Sequence, residues 1–301
     1  MDDYFLAFEG RKPPKPLSYS PWREALWQFL ATLTLVIGAW YLVWRWMHSL
    51  NPEAMWFALP LVLAESFAYL GLVLFVFNLW KDQPLALPEP PATLGDIAPG
   101  RPDPASAISV DVMFATYNED PELVRLGIRD AKAMRYPHPI DLHIHVLDDG
   151  RRAEMKAVAE SEGVNYIARP SNEGFKAGNL RYAMERTSGD FLVICDADTR
   201  PFPTLLAHTL GYFRDPKMAW VQTPQWFYDL PEGTTLAQRM TRRFGPATGR
   251  VAALVEKVVG PIRKGDDPFV NDPQMFYDVI LRRRNWANAS FCCGAGSIHR
   301  R

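Results

Sequence analysis

The sequence predicts an α/β protein in which a mostly parallel sheet, with helices on both faces, follows a two-helix transmembrane hairpin. Three observations lead to this fold class. Two long apolar runs lie before residue 81, together with seven of the ten tryptophans. Short apolar segments then alternate with helical ones, which is the pattern of parallel strands joined by helices. Polar clusters follow four of the predicted strands, where such sheets collect their ligands.

The two apolar runs are long enough to cross a membrane. Residues 25–44 contain no Asp, Glu, Lys or Arg, and residues 54–80 contain only Glu65. At about 1.5 Å per residue, about twenty residues cover the roughly 30 Å of bilayer hydrocarbon. The alternative is a pair of core helices inside a soluble protein. Uninterrupted runs of this length favour the membrane hairpin, which we assign to residues 25–80.

Basic residues near the start of the chain orient the hairpin. They are Arg11, Lys12, Lys15 and Arg23. Positive residues mark the cytoplasmic side of membrane helices, so residues 1–24 are predicted to be a cytoplasmic segment. The short connection between the two runs makes them antiparallel. Everything after residue 80 is therefore predicted to be cytoplasmic as well.

The composition excludes several classes of protein. Apolar residues make up 48% of the chain and charged residues 22%, so the chain is not disordered. A net charge of −1 argues against a nucleic-acid partner, because such proteins usually carry a basic excess. Three cysteines form neither a disulfide framework nor a zinc-ligand pattern.

The soluble part begins after a linker. Residues 81–107 are rich in proline and show no helical or strand period, which predicts an extended tether. Residues 108–301 are predicted to form the sheet domain. Its strands are expected at residues 108–115, 140–146, 164–168, 191–195 and 218–222, with helices near residues 120–134, 151–161 and 203–213 and from residue 176.

Polar residues follow four of these strands. The four clusters are Thr116-Tyr117-Asn118-Glu119, Asp148-Asp149-Gly150, Asp196-Ala197-Asp198 and Gln222-Thr223-Pro224-Gln225. A helix start among them carries Lys176. The sequence contains neither GxxxxGK[ST] nor GxGxxG, so neither a P-loop NTPase nor a dinucleotide-binding fold is favoured.

The pair Asp196 and Asp198 is the sharpest chemical signal. Two carboxylates two residues apart at a strand end can both approach one Mg²⁺ or Mn²⁺ ion, which readily takes diphosphate oxygens as further ligands. The alternative is an Asx turn or a helix cap before the following helix. Lys176 is suited to a phosphate, although an isolated lysine is more often simply solvated. The shared sheet edge, which also carries Asp149, favours the metal-binding interpretation.

The ordered set of motifs resembles a known family. The segments TYNE, DDG, KAGN, DAD and QTPQ, followed by Phe291-Cys292-Cys293-Gly294 and Arg300-Arg301, are similar to the processive family 2 glycosyltransferases, including bacterial cellulose synthase catalytic subunits. The resemblance covers residues 109–301. It implies a GT-A fold, a bacterial inner-membrane location, and transfer of a sugar, with glucose from UDP-glucose as the first choice. Transfer would proceed with inversion onto a growing β-glucan such as cellulose.

The resemblance also implies roles for single residues. Thr116, Tyr117 and Glu119 would border the uracil and ribose. Asp149 would contact the uridine and Lys176 the diphosphate. Asp196 and Asp198 would hold Mg²⁺ or Mn²⁺. The acceptor polysaccharide would lie along Gln222, Thr223, Pro224, Gln225, Phe291, Cys293 and Gly294. The bilayer and accessory synthase subunits are the further partners that the family implies.

The sequence departs from the family in three places. The family supplies its general base from a Thr-Glu-Asp motif and caps the acceptor with QxxRW, and neither motif occurs before Arg301. No Asp or Glu follows Asp278, so no catalytic base is assigned and a fragment of a longer synthase is expected. Gly174-Phe175 replaces the usual His-Ala before the lysine. Residues 230–272 form a longer insertion, which predicts an amphipathic helix at the membrane or on the domain.

The sequence is compatible with two functions. The first is a membrane-bound UDP-sugar-dependent glycosyltransferase. The second is a non-catalytic membrane subunit or sensor that binds a nucleotide sugar. Within the first, chitin, hyaluronan and other β-glucan synthases share these motifs, so the motifs do not identify the sugar.

Overall fold

The computed structural model describes residues 7–8, 10–13, 17–83, 85–100, 103–229, 233–265, 279–287 and 295–301. The chain divides into two compact units. One contains Met1–Pro84 and Pro224–Ser290, and the other contains Leu85–Thr223 and Phe291–Arg301. The second unit carries the sheet and most of the predicted site residues.

Strands and helices alternate along the second unit, and the first unit is mainly helical. In chain order they are α1 (Pro21–His48), α2 (Met55–Asn78), β1 (Ile108–Thr116), α3 (Pro121–Lys132), β2 (Ile140–Asp148), α4 (Ala153–Ser161), β3 (Asn165–Ile167), α5 (Phe175–Met184), β4 (Phe191–Asp196), α6 (Leu205–Thr209), β5 (Trp220–Gln222), β6 (Thr234–Thr235), α7 (Leu236–Phe244), α8 (Pro246–Val259), β7 (Arg263–Lys264), α9 (Leu281–Arg283) and β8 (Ser297–Arg300).

Helices α1 and α2 are each long and apolar enough to cross a membrane. Only 6% and 11% of the residues in their most apolar windows are buried inside the protein, which does not fit the alternative of core helices. The Tyr69 hydroxyl donates to the Leu35 carbonyl at 2.7 Å and joins the two helices. Arg45 Nε lies 2.9 Å from Glu65 Oε2, so the acid within the second run has a charged partner.

The sheet of the second unit has the order β3-β2-β1-β4-β8-β5. Strands β1 to β4 run parallel to one another, as predicted. Strand β8 is inserted between β4 and β5 and runs antiparallel to both. The sheet is therefore mixed and mostly parallel, which is a GT-A-like arrangement.

Helices cover both faces of this sheet. Val112 and Phe114 of β1 are fully buried in a large cluster with Ile128 of α3. Met113, between them in sequence, packs on the opposite face with Leu192 and residues of α5. Successive side chains of a strand point to opposite faces, so a strand covered on both faces becomes a continuous apolar run. This explains the continuous apolar run of residues 112–115 in β1.

Residues 85–100 of the proline-rich segment belong to the second unit and pack on its core. Leu94 and Ile97 are buried, and Ile97 belongs to the large core cluster. The Tyr136 hydroxyl donates to the Pro91 carbonyl at 2.7 Å. An extended tether therefore does not describe residues 85–100. Prolines remove backbone donors and fix φ, but they do not prevent neighbouring apolar side chains from joining a core.

Asp111 of β1 is a buried carboxylate that should make folding sensitive to acid. Burial alone would raise its pKa, but hydrogen bonds from His145 and the Gly189 amide hold the pKa at about 2. Because this lies below the value of about 3.9 expected in the unfolded chain, the ionised form stabilises the fold above about pH 4. About 2 kcal/mol should be lost as the pH falls from about 4 to about 2.

Chemical denaturation of the detergent-solubilised protein across that pH range tests this prediction. Asp111→Asn should flatten the acid side of the profile and lower stability at neutral pH. Asp141→Asn, which removes a carboxylate that is 61% exposed, serves as the control. An unchanged acid slope in the Asp111 variant would contradict the assignment.

Candidate active site

The register of the sheet places the predicted site residues along one edge. Thr116 at the end of β1 pairs with Asp148 at the end of β2. Ala115 pairs with Asp196 at the end of β4. Three of the four polar clusters therefore begin at neighbouring carboxyl ends of parallel strands, where α/β sheets bind ligands. Gln222 ends β5, further along the same sheet.

The turn after β1 is organised around Glu119. Its carboxylate accepts hydrogen bonds from Thr116 Oγ1 at 2.8 Å and from the Tyr117 amide at 2.7 Å. Although partial burial opposes it, this hydrogen bonding lowers the pKa of Glu119 and keeps it ionised. The Tyr117 ring is 56% exposed. The turn thus offers an aromatic surface and a fixed carboxylate at the sheet edge.

The first aspartate of the DDG segment, Asp148, fixes the turn after β2 through hydrogen bonds. Asp148 is fully buried and accepts hydrogen bonds from the amides of Gly150 and Arg152 and from the Tyr166 hydroxyl. Arg152 in turn donates to Thr116 Oγ1 at 2.8 Å. A Cβ on Gly150 would lie 2.2 Å from the Tyr117 carbonyl oxygen, so only glycine lets the two turns approach. Asp148 therefore joins the first two strand ends.

The second aspartate, Asp149, is buried against Arg169. Arg169 Nε and Nη2 donate to its two carboxylate oxygens at 2.6 and 2.8 Å, which is a bidentate pair. Arg169 also donates to the carbonyls of Glu173 and Phe175. Both oxygens of Asp149 thus have a protein partner. The proposed contact of Asp149 with the uridine stays a prediction.

Lys176 follows the loop that Arg169 holds. Its ammonium group forms an ion pair with Asp196 at the end of β4. Both side chains remain about 40% exposed, at 41% and 37%. A Cβ on Gly178, two residues further on, would lie 2.0 Å from the Glu173 carbonyl oxygen. The glycine of the KAGN segment is therefore required for the close turn that presents the lysine.

The carboxylates of the DAD segment do not cap the next helix. Asp196 is engaged by Lys176, and α6 begins at Leu205 after Thr204. Asp198 is exposed, but desolvation by its surroundings raises the pKa of its carboxyl. The charge of Asp196 raises it further. The end of β4 thus carries two carboxylates beside one ion-paired lysine, and Thr204, not an aspartate, stands at the N-cap of α6.

The DAD pair has the donor chemistry for a hard divalent cation. Carboxylate oxygens are the ligands that Mg²⁺ and Mn²⁺ prefer, and one or two suffice when a diphosphate supplies others. Among the described residues, no group of three or more His, Cys, Asp or Glu side chains could hold a metal alone. A cation here would therefore need ligands from water or from a bound nucleotide. Two carboxylates beside a single lysine fit such an ion.

The predicted acceptor residues fall into two sets. Gln222 Nε2 donates to the Ala295 carbonyl at 2.8 Å, and Thr223 Oγ1 donates to the Gly296 carbonyl at 2.8 Å. These contacts fix the end of β5 to the start of β8. Pro224 is exposed and Gln225 half-buried, and both belong to the first unit. The remaining candidates lie outside the described residues: Phe291, Cys293 and Gly294.

Sequence reasoning missed two arginines that organise the edge. Arg169 pairs with Asp149, and Arg152 links the ends of β1 and β2. A buried carboxylate at a strand end requires a cation, which was a usable signal. The sequence alone did not say which of the many arginines supplied it.

The fold and this edge define an α/β protein with a mostly parallel sheet, whose carboxyl edge carries an ion-paired lysine beside two carboxylates. The family model described as "Glycosyl transferase family 2" matches residues 111–301. The chain is 33% identical to the cellulose synthase catalytic subunit [UDP-forming] of Pseudomonas fluorescens, over 90% of this chain and 32% of that protein. It is 32% identical to cellulose synthase 1 of Komagataeibacter xylinus, over 91% of this chain and 16% of that protein.

The chain therefore belongs to glycosyltransferase family 2 and is related to cellulose synthases. This relationship implies a nucleotide-sugar donor. The chain spans about a third or less of the length of these curated relatives.

Solved structures show weaker likeness. A mannosyltransferase from Pyrobaculum calidifontis, in complex with GDP-Man and Mn²⁺, matches with a TM-score of 0.41 at 21% identity, covering 54% of this chain and 45% of that chain. Glucosyl-3-phosphoglycerate synthase from Mycobacterium tuberculosis, in complex with Mn²⁺, UDP-glucose and phosphoglyceric acid, matches with a TM-score of 0.33 at 20% identity. That match covers 38% of this chain and 43% of that chain.

Proposed function

We propose that this chain carries the donor and metal site of a membrane-bound glycosyltransferase that moves glucose from UDP-glucose, with inversion, onto a growing β-glucan such as cellulose. The observation that carries the proposal is the ion pair between Lys176 and Asp196, with the carboxyl group of Asp198 two residues further along the chain. The relationship to UDP-forming cellulose synthases supports UDP-glucose as the donor.

Different residues at the sheet edge bind different parts of the UDP-glucose donor. The uracil and ribose are bordered by Thr116, Tyr117 and Glu119. Asp149 contacts the uridine while it remains paired with Arg169. Lys176 binds the diphosphate, exchanging its carboxylate partner for phosphate oxygens.

Asp196 and Asp198 would hold Mg²⁺ or Mn²⁺, which offsets the charge on the leaving UDP. Lys176 contributes to the same stabilisation, because a positive charge at the diphosphate lowers the barrier to breaking the sugar–phosphate bond. We assign no general base among the residues of this chain.

The acceptor side and the location complete the proposal. Gln222 to Gln225, with Phe291, Cys293 and Gly294, line the path of the polysaccharide. Helices α1 and α2 anchor the chain in a bacterial inner membrane with residues 1–24 and the sheet domain in the cytoplasm. Accessory synthase subunits are further partners.

Titration of the detergent-solubilised protein with UDP and Mn²⁺, followed by transfer assays with radiolabelled UDP-sugars, tests this function. We expect Mn²⁺-dependent UDP binding and preference for UDP-glucose over UDP-N-acetylglucosamine. A preference for the latter would favour a chitin or hyaluronan synthase. Because no general base is assigned here, transfer is assayed with a protein that joins this chain to the family's Thr-Glu-Asp segment. Tight binding without hydrolysis or transfer to any glucan acceptor in that protein would favour a non-catalytic nucleotide-sugar-binding subunit, and no UDP binding by this chain would refute both.

A further inference from the structure

Phe175, at the first position of α5, adopts a backbone conformation that large side chains avoid. Its φ is +48°, in the left-handed region, and it follows Gly174 with φ +72°. Bulky L-residues in this region are outliers because Cβ approaches the carbonyl oxygen. Glycine would adopt the same conformation without strain. The ring is nevertheless 83% exposed, so the strain is not offset by burying an apolar side chain.

The surrounding structure holds this conformation in place. The Phe175 amide donates to the Asn172 carbonyl at 3.1 Å. The Phe175 carbonyl accepts from Arg169 Nη2 at 2.8 Å, and the same nitrogen bonds Asp149. The loop also packs closely on Gly178, since a Cβ there would lie 2.0 Å from the Glu173 carbonyl oxygen. Strained residues held in this way are concentrated at functional sites.

The position of Phe175 lies between the two halves of the donor site. Arg169 Nη2 donates both to the Phe175 carbonyl and to Asp149, the residue assigned to the uridine. The next residue, Lys176, pairs with Asp196 on the side assigned to the diphosphate. At this point of the loop the side chain of Phe175 is exposed to solvent. The only planar π-system in a UDP-sugar is the uracil.

We propose that Phe175 is a nucleobase-contacting residue whose ring stacks on the bound uracil. This inference rests on the proposed function and adds a contact that the spacing of the motifs does not predict. Aromatic side chains bind the flat faces of bases, and the interaction does not depend on hydrogen-bonding partners. The strained backbone is then the cost of presenting the ring at the sheet edge.

Calorimetric titration of the solubilised protein with UDP, UMP and Mn²⁺–pyrophosphate tests the stacking. Phe175→Ala should raise the Kd for UDP and for UMP about tenfold and leave pyrophosphate binding unchanged. Phe175→Gly should weaken UDP to the same extent while raising the thermal unfolding temperature, because it relieves the backbone strain. Phe175→Trp should retain UDP affinity. Met184→Ala, at the other end of the same helix, is the control for both measurements.

The outcomes separate this inference from the proposed function. Unchanged UDP affinity in both the Ala and Gly variants would overturn the stacking role. Equal weakening of UDP and pyrophosphate would also overturn it, since Phe175 would then act by positioning Lys176. A wild-type chain that binds neither UDP nor Mn²⁺–pyrophosphate would refute the proposed function itself.

Discussion

Replacing Asp198 by Asn is expected to abolish Mn²⁺-dependent binding of UDP, with a rise in Kd of at least about a hundredfold. Desolvation and the neighbouring charge of Asp196 raise the pKa of the Asp198 carboxyl, so a nearby cation would favour its ionised form. A divalent ion would relieve that repulsion and connect the pair to the diphosphate. An amide of the same shape supplies only a neutral oxygen, which binds Mn²⁺ more weakly.

The stability of the unliganded variant distinguishes loss of the metal from loss of the fold. Because Asn removes one of two repelling charges, Asp198→Asn should leave the thermal unfolding temperature unchanged or raise it. Asp215→Asn, an exposed aspartate of the same unit, should change neither stability nor UDP affinity. Calorimetry with and without Mn²⁺ measures the effect. Retained Mn²⁺-dependent affinity in Asp198→Asn would contradict the metal role.

Much of the fold could be predicted because its signals are local. The apolar runs of α1 and α2, and the strands from β1 to β4, differ from their surroundings in hydropathy alone. Strand β8 was missed because Ser297–Arg300 has one fully buried apolar side chain, Ile298, and four residues carry too little pattern. The helical insertion was predicted as one helix, whereas Gly245 and Pro246 divide it into α7 and α8.

The candidate site was predictable only as a set of strand ends. Thr116, Asp149 and Asp196 come together because parallel strands bring their carboxyl ends to one edge, which follows from topology. The partner of each charge does not follow, since it depends on side chains from distant segments. The pairing of Asp149 with Arg169 spans twenty residues and a strand crossover, and no spacing rule encodes it.

Arg169→Leu is expected to lower the free energy of unfolding by about 3 kcal/mol. The substitution removes both donors to the buried carboxylate of Asp149 and frees the carbonyls of Glu173 and Phe175. Removing one partner of a buried pair leaves an uncompensated charge, which typically costs about 3–5 kcal/mol. The lower end applies because the neighbouring loop, including Gly174 and Phe175, is exposed to water.

A double-mutant cycle shows whether this loss comes from the stranded charge. Adding Asp149→Asn to Arg169→Leu should restore part of the stability, because a neutral amide is easier to bury than an unpaired carboxylate. Arg181→Ala removes an arginine whose side chain is 83% exposed and should change stability by less than about 0.5 kcal/mol. UDP affinity should not recover with stability, since neither variant rebuilds the loop that presents Phe175 and Lys176. If stability and UDP affinity recovered together, Arg169 would serve only to neutralise Asp149, and the loop would hold its shape without it.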